Sequence, residues 1–124
     1  MGERISTFKE LRVYREACEL DLRLFVETKT WPREEKYALI DQIRRSSRAI
    51  GANIAESWAK RRYPAHFVSK LTDADGELQE TMHWLGRAAA YGYLTSEKLE
   101  ALEDRCHTIG SKLGKMMQNP ESFC

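Results

Sequence analysis

The sequence has little of what breaks, crosslinks or anchors a chain. Among 124 residues there are three prolines and seven glycines, too few for a loop-rich or extended protein. The three cysteines, Cys18, Cys106 and Cys124, are odd in number, widely spaced and without a CxxC pair. That fits reduced thiols better than a disulfide framework. No apolar run approaches the roughly 20 residues that cross a bilayer, and the opening Met1-Gly2-Glu3-Arg4 lacks the pattern of a signal peptide. A soluble, cytoplasmic protein with no membrane partner is expected. Two-residue hydrophobic alternation is missing, which argues against strands. Gly-rich phosphate loops, GxSxG and HExxH are missing too. Net charge is nearly missing: twenty basic residues meet nineteen acidic ones, for +1. The total charge names no partner.

What is present is helical periodicity between sharp boundaries. Pro32 suits a helix start, Pro64 divides a second helix from a third, and Gly92 ends the third before a Thr95 cap. Helices are expected at about 8–28, 33–62, 65–91 and 96–117, within one domain spanning 1–124, with a frayed tail at 118–124. The first places Leu11, Tyr14, Cys18 and Phe25 on one face, widened by Ala17, Leu22 and Leu24. The second carries Ile40, Ile43, Ser47, Ile50, Ile54 and Trp58. The third carries Phe67, Leu71, Ala74, Leu78, Thr81, Leu85 and Ala88. The fourth carries Leu99, Leu102, Cys106, Ile109, Leu113 and Met116. Three- and four-residue spacings make bundle seams, and short connections make neighbours antiparallel. The expected fold is an all-α, up-down-up-down four-helix bundle.

Such bundles can hold two metal ions through Glu-x-x-His pairs that project inward. Glu80-x-x-His83 and Asp104-x-x-His107 have that spacing. At about 100° per residue, however, Glu80 and His83 fall roughly 150° from the centre of their helix's apolar face. Asp104 also points away from its seam. Cys18 and Cys106 lie on core faces, where a thiol is a small inert hydrophobe, and His66 reads as a solvated side chain. No enzyme, metal or cofactor is expected.

Charge is distributed unevenly. Residues 42–62 carry Arg44, Arg45, Arg48, Lys60, Arg61 and Arg62 against the single acid Glu56, whereas residues 63–91 carry Lys70 and Arg87 against Asp73, Asp75, Glu77 and Glu80. Small residues are dense in the second helix, which permits close approach of another helix. The outer face of the third reads Asp73, Glu77, Glu80, Trp84, Arg87, Tyr91. Trp, Tyr and Arg are enriched at interfaces, so Glu77, Trp84, Arg87 and Tyr91 are candidate oligomer contacts. Unlike patches mate head to tail and close into a ring, so a cyclic homo-oligomer is expected.

The second helix reads Pro32-x-x-Glu35-x-Tyr37-x-Leu39-x-x-Gln42-Ile43-Arg44-Arg45-Ser46-Ser47, then Ile50-x-x-Asn53-Ile54-Ala55-Glu56. With Phe8-x-x-Leu11-x-Val13-Tyr14-x-x-Ala17, Ala74-x-Gly76 and the Gly92-Tyr93-Leu94 turn, it resembles the 23S rRNA-intervening sequence proteins, a family of four-helix bundle proteins. The match runs from about residue 8 to residue 116. The resemblance implies a bacterial cytosolic bundle that forms homopentamers and has no established activity. Relatives act as accessory proteins of retroelements, where a basic pentamer binds nucleic acid and a reverse transcriptase. The matching polar residues are Gln42, Arg44, Arg45, Asn53, Glu56 and Glu80, which serve a polar cluster or a subunit interface. Three positions depart from the family pattern: Ser57 with Trp58 after it, Ala49, and Glu77.

Two functions compete on these residues. In the first, an oligomeric adaptor binds nucleic acid, RNA above all, by placing Arg44, Arg45, Arg48, Lys60, Arg61 and Arg62 on phosphates. In the second, a protein–protein scaffold uses the same basic face for assembly and binds no nucleic acid.

Overall fold

The computed structural model describes residues 5–124; residues 1–4, on which the expected lack of a signal peptide rests, lie outside them. The described residues form four helices and no strand: α1 (Arg12–Glu27), α2 (Leu39–Ala59), α3 (Pro64–Ala90) and α4 (Ser96–Gln118). Single 3-10 turns stand at Phe8–Glu10, Thr28–Thr30, Arg33–Glu35 and Pro120–Ser122. No described helix is long and apolar enough to cross a membrane.

Local chemistry sets the ends. The Thr95 hydroxyl accepts from the Lys98 amide at 3.2 Å and caps α4. Gly92 adopts φ +84°, a left-handed turn that a side chain would strain, and so ends the α3 segment. Pro64 opens α3 and holds Tyr63 extended at φ −123°, ψ 111°, since a residue before proline is excluded from helical geometry. For that reason α2 stops at Ala59 and not at residue 62 as expected. It also starts later than expected, because Ala38 at φ −124°, ψ −105° separates it from the 3-10 turn. Likewise α1 begins at Arg12, after an extended Leu11.

That late start re-phases α1. Its buried positions are Val13, Ala17, Leu20 and Leu24, while Tyr14, Cys18 and Phe25 are only half-buried flanks and Leu22 is exposed. Leu11 is buried too, but it sits before the helix and does not set its phase. The seams of α2, α3 and α4 fall where their spacing placed them, except that Trp58 and Leu99 are only half-buried. Each of α1 and α3 packs against both α2 and α4, so among the described residues one core of 23 buried apolar residues is shared by the four helices and the segments that connect them.

Cross-helix pairs give the register. Ser46 meets Thr81 at 2.8 Å and Glu56 meets Lys70 at 2.7 Å. Glu16 meets Lys112, Glu19 meets Arg105 and Glu27 meets Lys98. The tail does not fray as expected. Its 3-10 turn folds Phe123 back onto Phe67, ring centroids 5.9 Å apart, and Arg61 Nη1 donates to the Phe123 carbonyl at 3.4 Å. An aromatic three residues past a proline turn has apolar area to bury, and α3 offers the partner.

Candidate nucleic-acid interface

Of the six basic candidates, three are engaged within the chain. Arg44 Nε donates to Thr28 Oγ1 at 2.8 Å and Nη2 to the Phe25 carbonyl at 3.2 Å, with its guanidinium 4.7 Å from the Phe25 ring centre. It clamps α2 to the end of α1. Arg45 pairs with Glu80 and, at 3.5 Å, with Glu77. Arg61 stacks 3.5 Å above Trp58, donates Nε to the Trp58 carbonyl at 2.8 Å and holds the tail. Arg48, Lys60 and Arg62 remain exposed, with Arg62 lying 5.8 Å from the Tyr63 ring centre.

The polar cluster is a seam between α2 and α3, seen from outside inward. The Glu80 carboxylate accepts from Trp84 Nε1 at 3.1 Å and from Arg45, and these two donors hold it below the usual carboxylate range. Arg45, still 50% exposed along its side chain, is pushed the other way by the same bond. Beneath them the buried Ser46 and Thr81 hydroxyls share a hydrogen bond; one donates to the other, and the accepting hydroxyl gives its own proton to its helix's backbone, at the Ile43 or the Glu77 carbonyl. Asn53 donates Nδ2 to the Ala49 carbonyl at 2.9 Å. Glu56 pairs with Lys70, not with an arginine, and that bond lowers its pKa. Gln42 is half-buried, and together with Glu35, Leu39, Trp84 and Tyr91 it lines a shallow cleft.

The family model described as 23S rRNA-intervening sequence protein matches residues 9–115. The chain belongs to this family. It is also similar to a solved structure of a protein with unknown function from the S23 ribosomal protein family of Bacteroides thetaiotaomicron. That likeness is 27% identity over 85% of this chain and 97% of that one, with a TM-score of 0.75. No curated protein matches.

In this family member two of the three departures from the pattern, Ser57 with Trp58 and Glu77, have structural uses. Ser57 is buried and donates to the Ile54 carbonyl at 2.6 Å, Trp58 carries Arg61, and Glu77 adds a second carboxylate to Arg45. Arg45 with Glu77 and Glu80, and Glu56 with Lys70, therefore pair α2 with α3 inside one chain. Trp84, placed on the outer face by its spacing, is half-buried and bonded to Glu80; Arg87 and Tyr91 are exposed, 5.3 Å from cation to ring centre.

The enzyme candidates do not converge. His66, His83, Asp104 and His107 are exposed, and no group of three His, Cys, Asp or Glu among the described residues could hold a metal ion. Burial pushes the Cys106 thiol up to about 12, so it is not a thiolate near neutral pH.

Two surface features are not legible in the sequence. Tyr37 is 86% exposed at one end of an open groove of about 590 Å³ along α2. A tyrosine just ahead of a helix start gives no periodic signal. Leu22 and Val26 are 59% and 57% exposed on α1 and line a groove with Ala101 and Leu102 of α4. Their four-residue spacing is visible in the string, but Leu22 reads there as part of the core.

Proposed function

We propose that this protein is a non-catalytic RNA-binding adaptor: an up-down-up-down bundle, assembled as a cyclic homo-oligomer of five copies, that grips phosphates along the outer edge of α2. One observation carries the reading. Once the internal pairs are assigned, the exposed side of α2 and its two flanking turns is basic. Lys36, Arg48, Lys60 and Arg62 are exposed there and Arg45 half-exposed, with Glu56 paired to Lys70 and with Glu34 and Asp41 the exposed acids that remain. Helix α2 has 21 residues, so at 1.5 Å per residue this edge is about 32 Å long. The register supports the up-down reading, since Ser46–Thr81 and Glu56–Lys70 run in opposite directions along α2 and α3. Five copies follow from the family resemblance, and repetition would add weak sites by avidity.

Arg44 and Arg45 are the wrong residues with which to test this, because substituting them breaks contacts within the fold. Arg48, Lys60 and Arg62 are the right ones. Each phosphate contact to a single strand contributes about 0.7 to the slope of log affinity on log salt. Reversing all three to glutamate should therefore flatten the slope by about 2 per protomer and erase a roughly 20-fold loss between about 50 and 200 mM salt. Fluorescence anisotropy with a labelled single-stranded RNA reads this directly. No binding at low salt, or binding indifferent to salt, would overturn the proposal.

The scaffold reading is favoured by a different observation, the exposed Leu22/Val26 pair. Paired aliphatics on one helix face, beside Ala101, make a contiguous apolar patch and not a scattered residue. Such a patch on α1 and the Arg87/Tyr91 corner of α3 are unlike, as a ring requires. Leu22→Glu with Val26→Glu should reduce the mass measured by light scattering to that of one chain. An unchanged mass removes this patch from the assembly.

A further inference from the structure

The exposed tyrosine in the α2 groove goes unused by phosphate contacts alone. Large aromatics at the surface are common singly and by themselves mean little. Tyr37 differs in its surroundings. The groove beside it takes apolar lining from Ile40, Ala49 and Ala52 and positive charge from Arg44 and Arg48. Lys36 lies at the same end, its ammonium 5.3 Å from the Tyr37 ring centre. From Ile40 to Ala52 the lined edge runs thirteen residues, about 20 Å at 1.5 Å per residue.

We infer that this groove selects single-stranded over double-stranded RNA, by stacking an unpaired base on Tyr37 while Lys36 and Arg48 hold the flanking phosphates. Every base has a π-face, but a duplex hides those faces between neighbouring pairs, so only an unpaired base can reach the ring. One face of Tyr37 has the Lys36 cation beside it, and a base stacked on the other would set its phosphate within reach of that cation. Arg44 is held by Thr28 and Phe25, so it adds field without moving, which fixes the middle of the groove as positive. Asp41 is the one acid in the lining. It faces four cations there, so the groove keeps its sign. Four cations against one acid, beside an exposed aromatic, favour nucleic acid over a protein segment.

The inference rests on the RNA-binding reading above, and the test separates the two. The full chain is titrated into a labelled RNA of about 12 nucleotides, single-stranded or annealed to its complement. The single strand should bind more tightly. Tyr37→Ala should weaken it by roughly 5- to 150-fold, the range for loss of one stacked base, and leave the duplex affinity and the salt slope unchanged. Tyr37→Phe should restore binding, because the ring and not the hydroxyl does the stacking. An exposed side chain is expendable for folding, and unchanged far-UV circular dichroism of Tyr37→Ala confirms it. If single strand and duplex bind alike, or if Tyr37→Ala is silent, the stacking site is overturned while the phosphate edge stands. If neither RNA binds at low salt, both readings fall.

Discussion

Phe67→Ala should destabilise the protein by about 3–5 kcal/mol, the usual cost of emptying a buried phenylalanine site. Phe67 is fully buried in the first turn of α3 and stacks on Phe123 from the tail. Its loss removes one side of that stack as well as a core ring, so the site cannot collapse without releasing the tail. Against a total stability of about 5–15 kcal/mol, the effect should lower Tm by roughly 10–20 °C. Phe123→Ala should cost less, because Phe123 is only half-buried, but it should not be neutral. In a double-mutant cycle the pair should show coupling. Chemical denaturation of the two single variants and the double variant gives all three terms. A Phe123→Ala variant as stable as the parent would mean that the tail contributes nothing in solution.

This contact marks where legibility ends. Core faces of α2, α3 and α4 can be read because a 3.6-residue period persists over 21 to 27 residues. In α1 the same reading fails by one step. Leu11 looks like the first member of the seam, yet it lies in an extended residue ahead of the helix, so the whole face is drawn too far toward Leu22. The tail fails for another reason. Seven residues have no period to detect, and whether Phe123 finds a partner depends on α3, some 56 positions earlier in the chain.

The candidate site is legible in its residue types and illegible in its pairings. Six basic residues against one acid is a property of the string, but it cannot say that Arg44 reaches Thr28 or that Arg61 lies on Trp58. Arg45 with Glu80 is one of several pairings the string permits, within a chain or between chains, and it forms within the chain. With those pairs made, Arg45, Glu77 and Glu80 are engaged within the chain. In the reading proposed above, the exposed patches at Leu22/Val26 and Arg87/Tyr91 are the unlike faces of a ring, and the RNA edge is Arg48, Lys60, Arg62 and the added Lys36.

The remaining large effect comes from a group with no functional assignment, and it appears in alkali. Cys106 is fully buried in α4, and desolvation first, then the Glu103 carboxylate, raises its thiol pKa from 9.0 to about 12. Below pH 9 both folded and unfolded thiols are protonated and the group is silent. As pH rises from 9 toward 12 the unfolded chain releases a proton that the folded chain keeps, so stability falls with pH. The loss should reach about 1.4 kcal/mol at pH 10 and approach about 4 kcal/mol once the folded pKa is crossed. Cys106→Ala removes this component, and the other groups with raised pKa values, such as Tyr93 through its bond to Glu35, titrate in both proteins and cancel. The difference in urea midpoint between the two should therefore narrow from about pH 8 to pH 10, even though the alanine leaves a small cavity and starts lower. Parallel midpoints over that range would mean that the Cys106 pocket admits water, and that a thiol packed like any small core side chain is open to chemistry.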